Sequence, residues 1–98
     1  MDYSGTHALQ SLIEIMNLKE EEELIKSILN EDNILKLSIN SNGTHIIQKI
    51  ISCFDEINRS KVNKSVIDNF SKFCMNANGI CVVCLILYHL ILRILLPF

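Results

Sequence analysis

Asn42-Gly43-Thr44-His45-Ile46-Ile47-Gln48 decides how this chain is read. The same pattern stands earlier as Ser4-Gly5-Thr6-His7-Ala8-Leu9-Gln10. A worn third copy, Asn78-Gly79-Ile80-Cys81-Val82-Val83-Cys84, follows. The glycines are 38 and then 36 residues apart. A period in this range marks a solenoid, in which each unit buries its apolar face only against its neighbours. The recurrence of Thr, His and Gln says more than the period, because it presents the same chemistry twice.

Helical periodicity surrounds each copy. Residues 5–16 read as a helix with Leu9, Leu12, Ile13 and Met16 inward and Ser4 or Thr6 as its cap. A second helix is predicted over 19–29, with Leu24, Ile25, Ile28 and Leu29 inward, and a short third over 34–39. Residues 30–33 and 40–43 are turns. The cycle then recurs. Residues 44–54 form the counterpart of the first helix, with Ile46, Ile47, Ile50 and Ile51 apolar. Residues 55–58 form a turn, 59–70 a helix with Val62, Val66 and Ile67 inward, and 70–75 a short helix. The three glycines serve as turn residues. Pro97 is the single proline, no strand-period stretch bounded by hairpin turns occurs, and the class is all-α.

The chain has 98 residues, 49% of them apolar and 20% charged, enough for one small core. Its net charge of −2 does not advertise a nucleic-acid binder. The charge is unevenly spread. Residues 1–42 carry three lysines against eight acids, and residues 43–98 carry six basic side chains against three acids. Glu20–Glu23 reads as a solvated helix face. Lys49, Arg59, Lys61, Lys64 and Lys72 could lie near phosphates, but so mild a field disfavours a basic-tract mode of binding. Four cysteines and no N-terminal signal peptide point to free thiols in a reducing compartment.

A repeat of about 36 residues with this Asn-Gly-x-x-x-x-Gln opening resembles the Pumilio (PUF) family of RNA-binding proteins, over residues 4–85. The resemblance implies a right-handed α-solenoid of three-helix repeats, here a partial array with copies centred on 5–16, 43–54 and 79–85. It implies sequence-selective binding of single-stranded RNA, in the 3′ untranslated region of cytoplasmic messenger RNA, for post-transcriptional control. It also leaves the convex face for regulatory proteins. No enzyme activity, cofactor, metal or small-molecule substrate is called for. Carried over residue by residue, the RNA-binding positions are Thr6, His7 and Gln10, then Thr44, His45 and Gln48.

Physical chemistry supports that assignment. At about 100° per residue, positions i, i+1 and i+4 share one strip of a helix, expected to be exposed. A glutamine amide both donates and accepts, so it can pair with a base edge. An imidazole is flat and can stack between bases, at roughly 1–3 kcal/mol per base. The small threonine leaves room for the base edge and adds a contact. By analogy with the family, a small residue beside glutamine favours adenine, with uracil as the second fit.

The third copy departs from the pattern, since Ile80, Cys81 and Cys84 replace Thr, His and Gln. Cys81 and Cys84 form a lone C-x-x-C, which reads as buried structural cysteine rather than a zinc site. Residues 86–98 form an apolar tail that does not continue the repeat. It is expected to be a truncated or aberrant end, and trimming after Cys84 is expected to improve solubility. Two other functional classes fit less well. A protein-binding helical scaffold of the tetratricopeptide type would have a 34-residue period. A tail-anchored membrane protein would rest on the run 80–96 alone.

Overall fold

Asn40 and Asn76, one period apart, each start a helix that carries the motif. Asn40 Oδ1 accepts from the backbone N–H groups of Asn42 (2.9 Å) and Gly43 (2.8 Å). Asn76 Oδ1 accepts in the same way from Asn78 (2.8 Å) and Gly79 (3.3 Å). The N–H of Thr44 donates to the Asn40 carbonyl and that of Ile80 to the Asn76 carbonyl, both at 2.9 Å. These contacts occupy the first orphan donors of each helix, which is why an asparagine at this offset sets the start.

The computed structural model describes residues 3–28 and 31–96. Among them are seven helices: α1 (Tyr3–Ile13), α2 (Leu18–Ile28), α3 (Glu31–Ile39), α4 (Gly43–Cys53), α5 (Glu56–Asp68), α6 (Phe70–Cys74) and α7 (Ala77–Leu95). The described residues contain no strand, and the radius of gyration, 12.8 Å, is that of a compact chain of this length. Helices one period apart pack on each other: α1 on α4, α4 on α7, α2 on α5 and α3 on α6. The short α3 and α6 each brace the motif helix that follows, α4 and α7.

The centre of the core is α4. Ile46, Ile47, Ile50 and Ile51 are all buried there, joined by Ile13, Ile25, Ile34, Val62, Phe73, Val82 and Ile86 from six other helices. β-Branched residues are mediocre helix formers. Tertiary burial, at about 1.5–3 kcal/mol for each isoleucine, therefore holds α4 together more than propensity does.

The glycines act differently from expectation. No glycine among the described residues has a positive φ, so turn geometry does not select them. Close packing does. A Cβ on Gly43 would lie 2.8 Å from the Leu37 carbonyl oxygen, and one on Gly79 would lie 2.1 Å from the Phe73 carbonyl oxygen. In both copies the motif helix starts pressed against the backbone six residues upstream.

Other expectations are also corrected. Thr6 lies buried within α1 and does not cap it. Asp55 is no mid-turn residue: it caps α5, its carboxylate accepting from Ile57 N–H at 3.3 Å, so the helix starts at Glu56. Leu12 and Ile67 are exposed rather than inward, and Leu29 lies outside the described residues. Glu20, Glu22 and Glu23 are solvated, but Glu21 is buried. One oxygen of Glu21 accepts from the Asp55 backbone N–H (2.9 Å) and from Asn58 Nδ2 (3.1 Å), tying α2 to the start of α5.

The boundary drawn between 85 and 86 falls inside α7, which crosses it unbroken and buries Ile86. The reason lies in the register. Where α4 ends at Phe54-Asp55, the matching residues of α7 are Leu90-Ile91, which offer no cap for a new helix, so α7 runs on to Leu95. By length and composition α7 could cross a membrane. Its first half is packed into the core through Gly79, Val82, Val83 and Ile86.

Candidate nucleic-acid interface

The neighbours α1 and α4 each present one repeat of the motif. On α4 the isoleucines and Thr44 cover roughly 160° of the helix, leaving a window of roughly 100° for Gln48, Ser52, His45 and Lys49. Burial follows that order. Thr44 is buried at its edge, Gln48 and Lys49 are half-buried, and His45 and Ser52 are exposed. The first copy matches at all three motif positions: Thr6 buried, Gln10 half-buried, His7 exposed.

The expected exposed strip of three side chains is thus corrected to two. Threonine forms the floor beneath glutamine. Gln48 Nε2 donates to Thr44 Oγ1 at 3.1 Å. That bond holds the Gln48 amide in place, and both threonines are buried, each 2% exposed. One turn of helix separates the two residues, so the contact follows from the i, i+4 spacing itself.

An ion pair between Glu14 and Lys49 ties the end of α1 to the outward window of α4. His7 and Ser11 lie one turn apart on α1, His45 and Lys49 one turn apart on α4, and Glu14 sits in the turn that follows α1. The hydrogen bond from Lys49, and then its charge, hold the Glu14 carboxyl below its ordinary range, with a smaller contribution from His7. The same hydrogen bond raises Lys49. Sequence reasoning singled out Lys49 but missed Glu14. Glu14 stands in the turn just past the end of α1, where helical spacing gives no signal for it.

The third copy is open at this surface. Cys81 and Cys84 are exposed, not buried, because they fall in the outward window of α7 where His45 and Gln48 fall in α4. Ile80 is 44% exposed where Thr44 is sealed. Tyr88, seven residues beyond Cys81, also faces outward in that window. It is an aromatic surface that the comparison of motif positions alone overlooked.

The remaining basic residues divide. Arg59 is half-buried and donates to the Ile51 carbonyl at 3.3 Å, a structural tie between α5 and α4. Lys61, Lys64 and Lys72 are exposed. Among the described residues no group of three His, Cys, Asp or Glu side chains could hold a metal ion. Chemically the face offers two flat imidazoles, two amides and one paired lysine. Comparison with protein-family models, with curated proteins and with solved structures gives no match.

Proposed function

We propose that this chain binds single-stranded RNA through the face carrying His7, Gln10, His45 and Gln48, as a short Pumilio-like repeat array. The observation behind this reading is the motif duplicated on neighbouring helices: in both copies the imidazole is exposed and the amide half-buried. Thr44 serves as a floor that orients the Gln48 amide. Each repeat would stack one base beside its imidazole and engage the base edge through glutamine. Two stacked bases at about 1–3 kcal/mol each give a complex between about tens of millimolar and tens of micromolar. Such affinity suits one segment of a larger assembly, in messenger-RNA control in the cytoplasm.

The test is a titration of the chain with short single-stranded RNA, followed by amide chemical shifts. An adenine-rich RNA is expected to move resonances of α1 and α4 around the two histidines. Replacing His45 and Gln48 together by Ala should weaken binding about tenfold or more, from loss of one base's stacking. Unchanged affinity in that double variant, with the fold intact by circular dichroism, would remove the assignment.

A further inference from the structure

The two ends of the helical stack expose the two halves of its own internal interface. In register, Leu12, Ile50 and Ile86 occupy one position of the motif helices and are 53%, 0% and 2% exposed. That position is bare only in the first copy, so it faces the preceding one. Ile13, Ile51 and Leu87 occupy the next position and are 2%, 0% and 50% exposed. That position is bare only in the last copy, so it faces the following one. At the N-terminal end Leu12 lines a shallow hollow with exposed Ile15, with Met16 and with Glu20. Around Leu87 the C-terminal end has an apolar hollow formed with Ile67, Phe70 and Leu90.

We propose that a second copy of this chain covers these faces, head to tail, with α1 of one molecule docking on α7 of the next as α4 docks on α1 within the chain. The faces are complementary in kind, because the chain already joins such surfaces twice. The chain is also polarised in charge along its length, since residues 1–42 are net −5 and residues 43–98 net +3, which favours a head-to-tail over a like-to-like arrangement. A heterologous contact of this type does not close on itself as a twofold dimer; repeated, it builds oligomers whose size grows with concentration, as open chains or as a ring where the rotation closes. Large exposed apolar faces of this sort mark association surfaces. The inference stands on the end faces and does not depend on RNA binding.

Sedimentation velocity of the 98-residue chain tests it. The wild type should form a concentration-dependent series of oligomers that shortens as salt is raised. Leu12→Glu blocks one end and Leu87→Glu the other, so each variant alone should run as the 11.2 kDa monomer. Mixed in equal amounts, they should form a dimer and stop there, since each supplies the face the other lacks. Ile15→Glu and Ile91→Glu, at exposed positions, serve as a second pair should either first variant lose its helical signal. Three results overturn the proposal. One is a monomeric wild type at hundreds of micromolar. Another is a Leu12→Glu variant that still dimerises, which would mean pairing between two α7 faces. The third is a wild type that stays monomeric alone but floats with phosphatidylcholine vesicles in a Leu87-dependent manner, which would make lipid the occupant.

Discussion

Gly79 and Glu21 show how single residues fix the spacing between copies. An alanine in place of glycine in an ordinary helix adds up to about 1 kcal/mol of stability. Gly79→Ala should do the reverse, because its Cβ would meet the backbone oxygen of Phe73 at 2.1 Å and no side chain can move aside. Overpacking of this kind costs about 1–3 kcal/mol or more. Gly43→Ala, with 2.8 Å to the Leu37 oxygen, should be milder. Urea unfolding of the two variants gives that order; a stabilised Gly79→Ala would mean that α7 does not start against α6. Glu21 acts through the opposite chemistry. Glu21→Ala leaves the buried Asn58 Nδ2 without its acceptor and frees the half-buried Asp55 N–H, and should cost about 2–3 kcal/mol, since hydrogen bonds to charged acceptors are the stronger ones. Glu21→Gln keeps an acceptor oxygen and should lose less than half of that. Equal losses in the same unfolding assay would show that charge, not the acceptor geometry, holds α2 to α5. Neither role could be read from sequence. A run of four glutamates looks uniformly solvated until the partner 34 residues away is placed beside it.

At the scale of elements, α4 was legible and α7 was not. Four isoleucines at helical spacing can only be the buried side of a helix, and the structure buries all four. The helical class and the pairing of α1 with α4 follow from the same repeat. The threonines misled because an arc of about 100° reaches from the solvent window to the buried edge, and spacing alone does not say which end is which. In α7 the missing signal was a cap, since Leu90-Ile91 replace Phe54-Asp55 and the helix simply continues. His89 lies on that continued stretch. Its ring is edge-on to Tyr88, with centroids 5.7 Å apart, and its Nε2 is buried with no hydrogen-bond partner among the described residues. Burial, and then the charge of Arg59, hold its pKa below the ordinary 6.5. The folded chain therefore refuses a proton that the unfolded chain accepts, and stability is lost as pH falls below about 6.5. His89→Leu removes both the stranded nitrogen and the linkage. It should raise stability by about 1 kcal/mol at neutral pH and flatten the decline between pH 6.5 and 5. Thermal melts across that range decide it, and an unaltered slope would assign the acid sensitivity elsewhere.

For the whole molecule, the question is how much of α7 belongs to the fold. Ending the chain after Cys84 looks harmless if the apolar run is an appendage. The structure argues otherwise, because the cut removes Ile86, 2% exposed, together with half-buried Leu85. Losing one buried side chain of this size costs about 2–5 kcal/mol. Small domains hold only about 5–15 kcal/mol in total. A chain ending at Cys84 should therefore be largely unfolded or aggregated, reversing the expectation that trimming there improves it. A chain ending at Leu92 keeps Ile86 and Leu90 and loses Ile94 and Leu95, which are 78% and 68% exposed. It also loses the surface pair between Arg93 and Glu56, worth about 0–1 kcal/mol in water. That shorter chain should melt within a few degrees of the full one and be more soluble. Circular dichroism melts of both truncations separate the two pictures. If the Cys84 truncation melts like the full chain, α7 beyond its first two turns contributes nothing to the core, and the C-terminal docking face built on Leu87 goes with it.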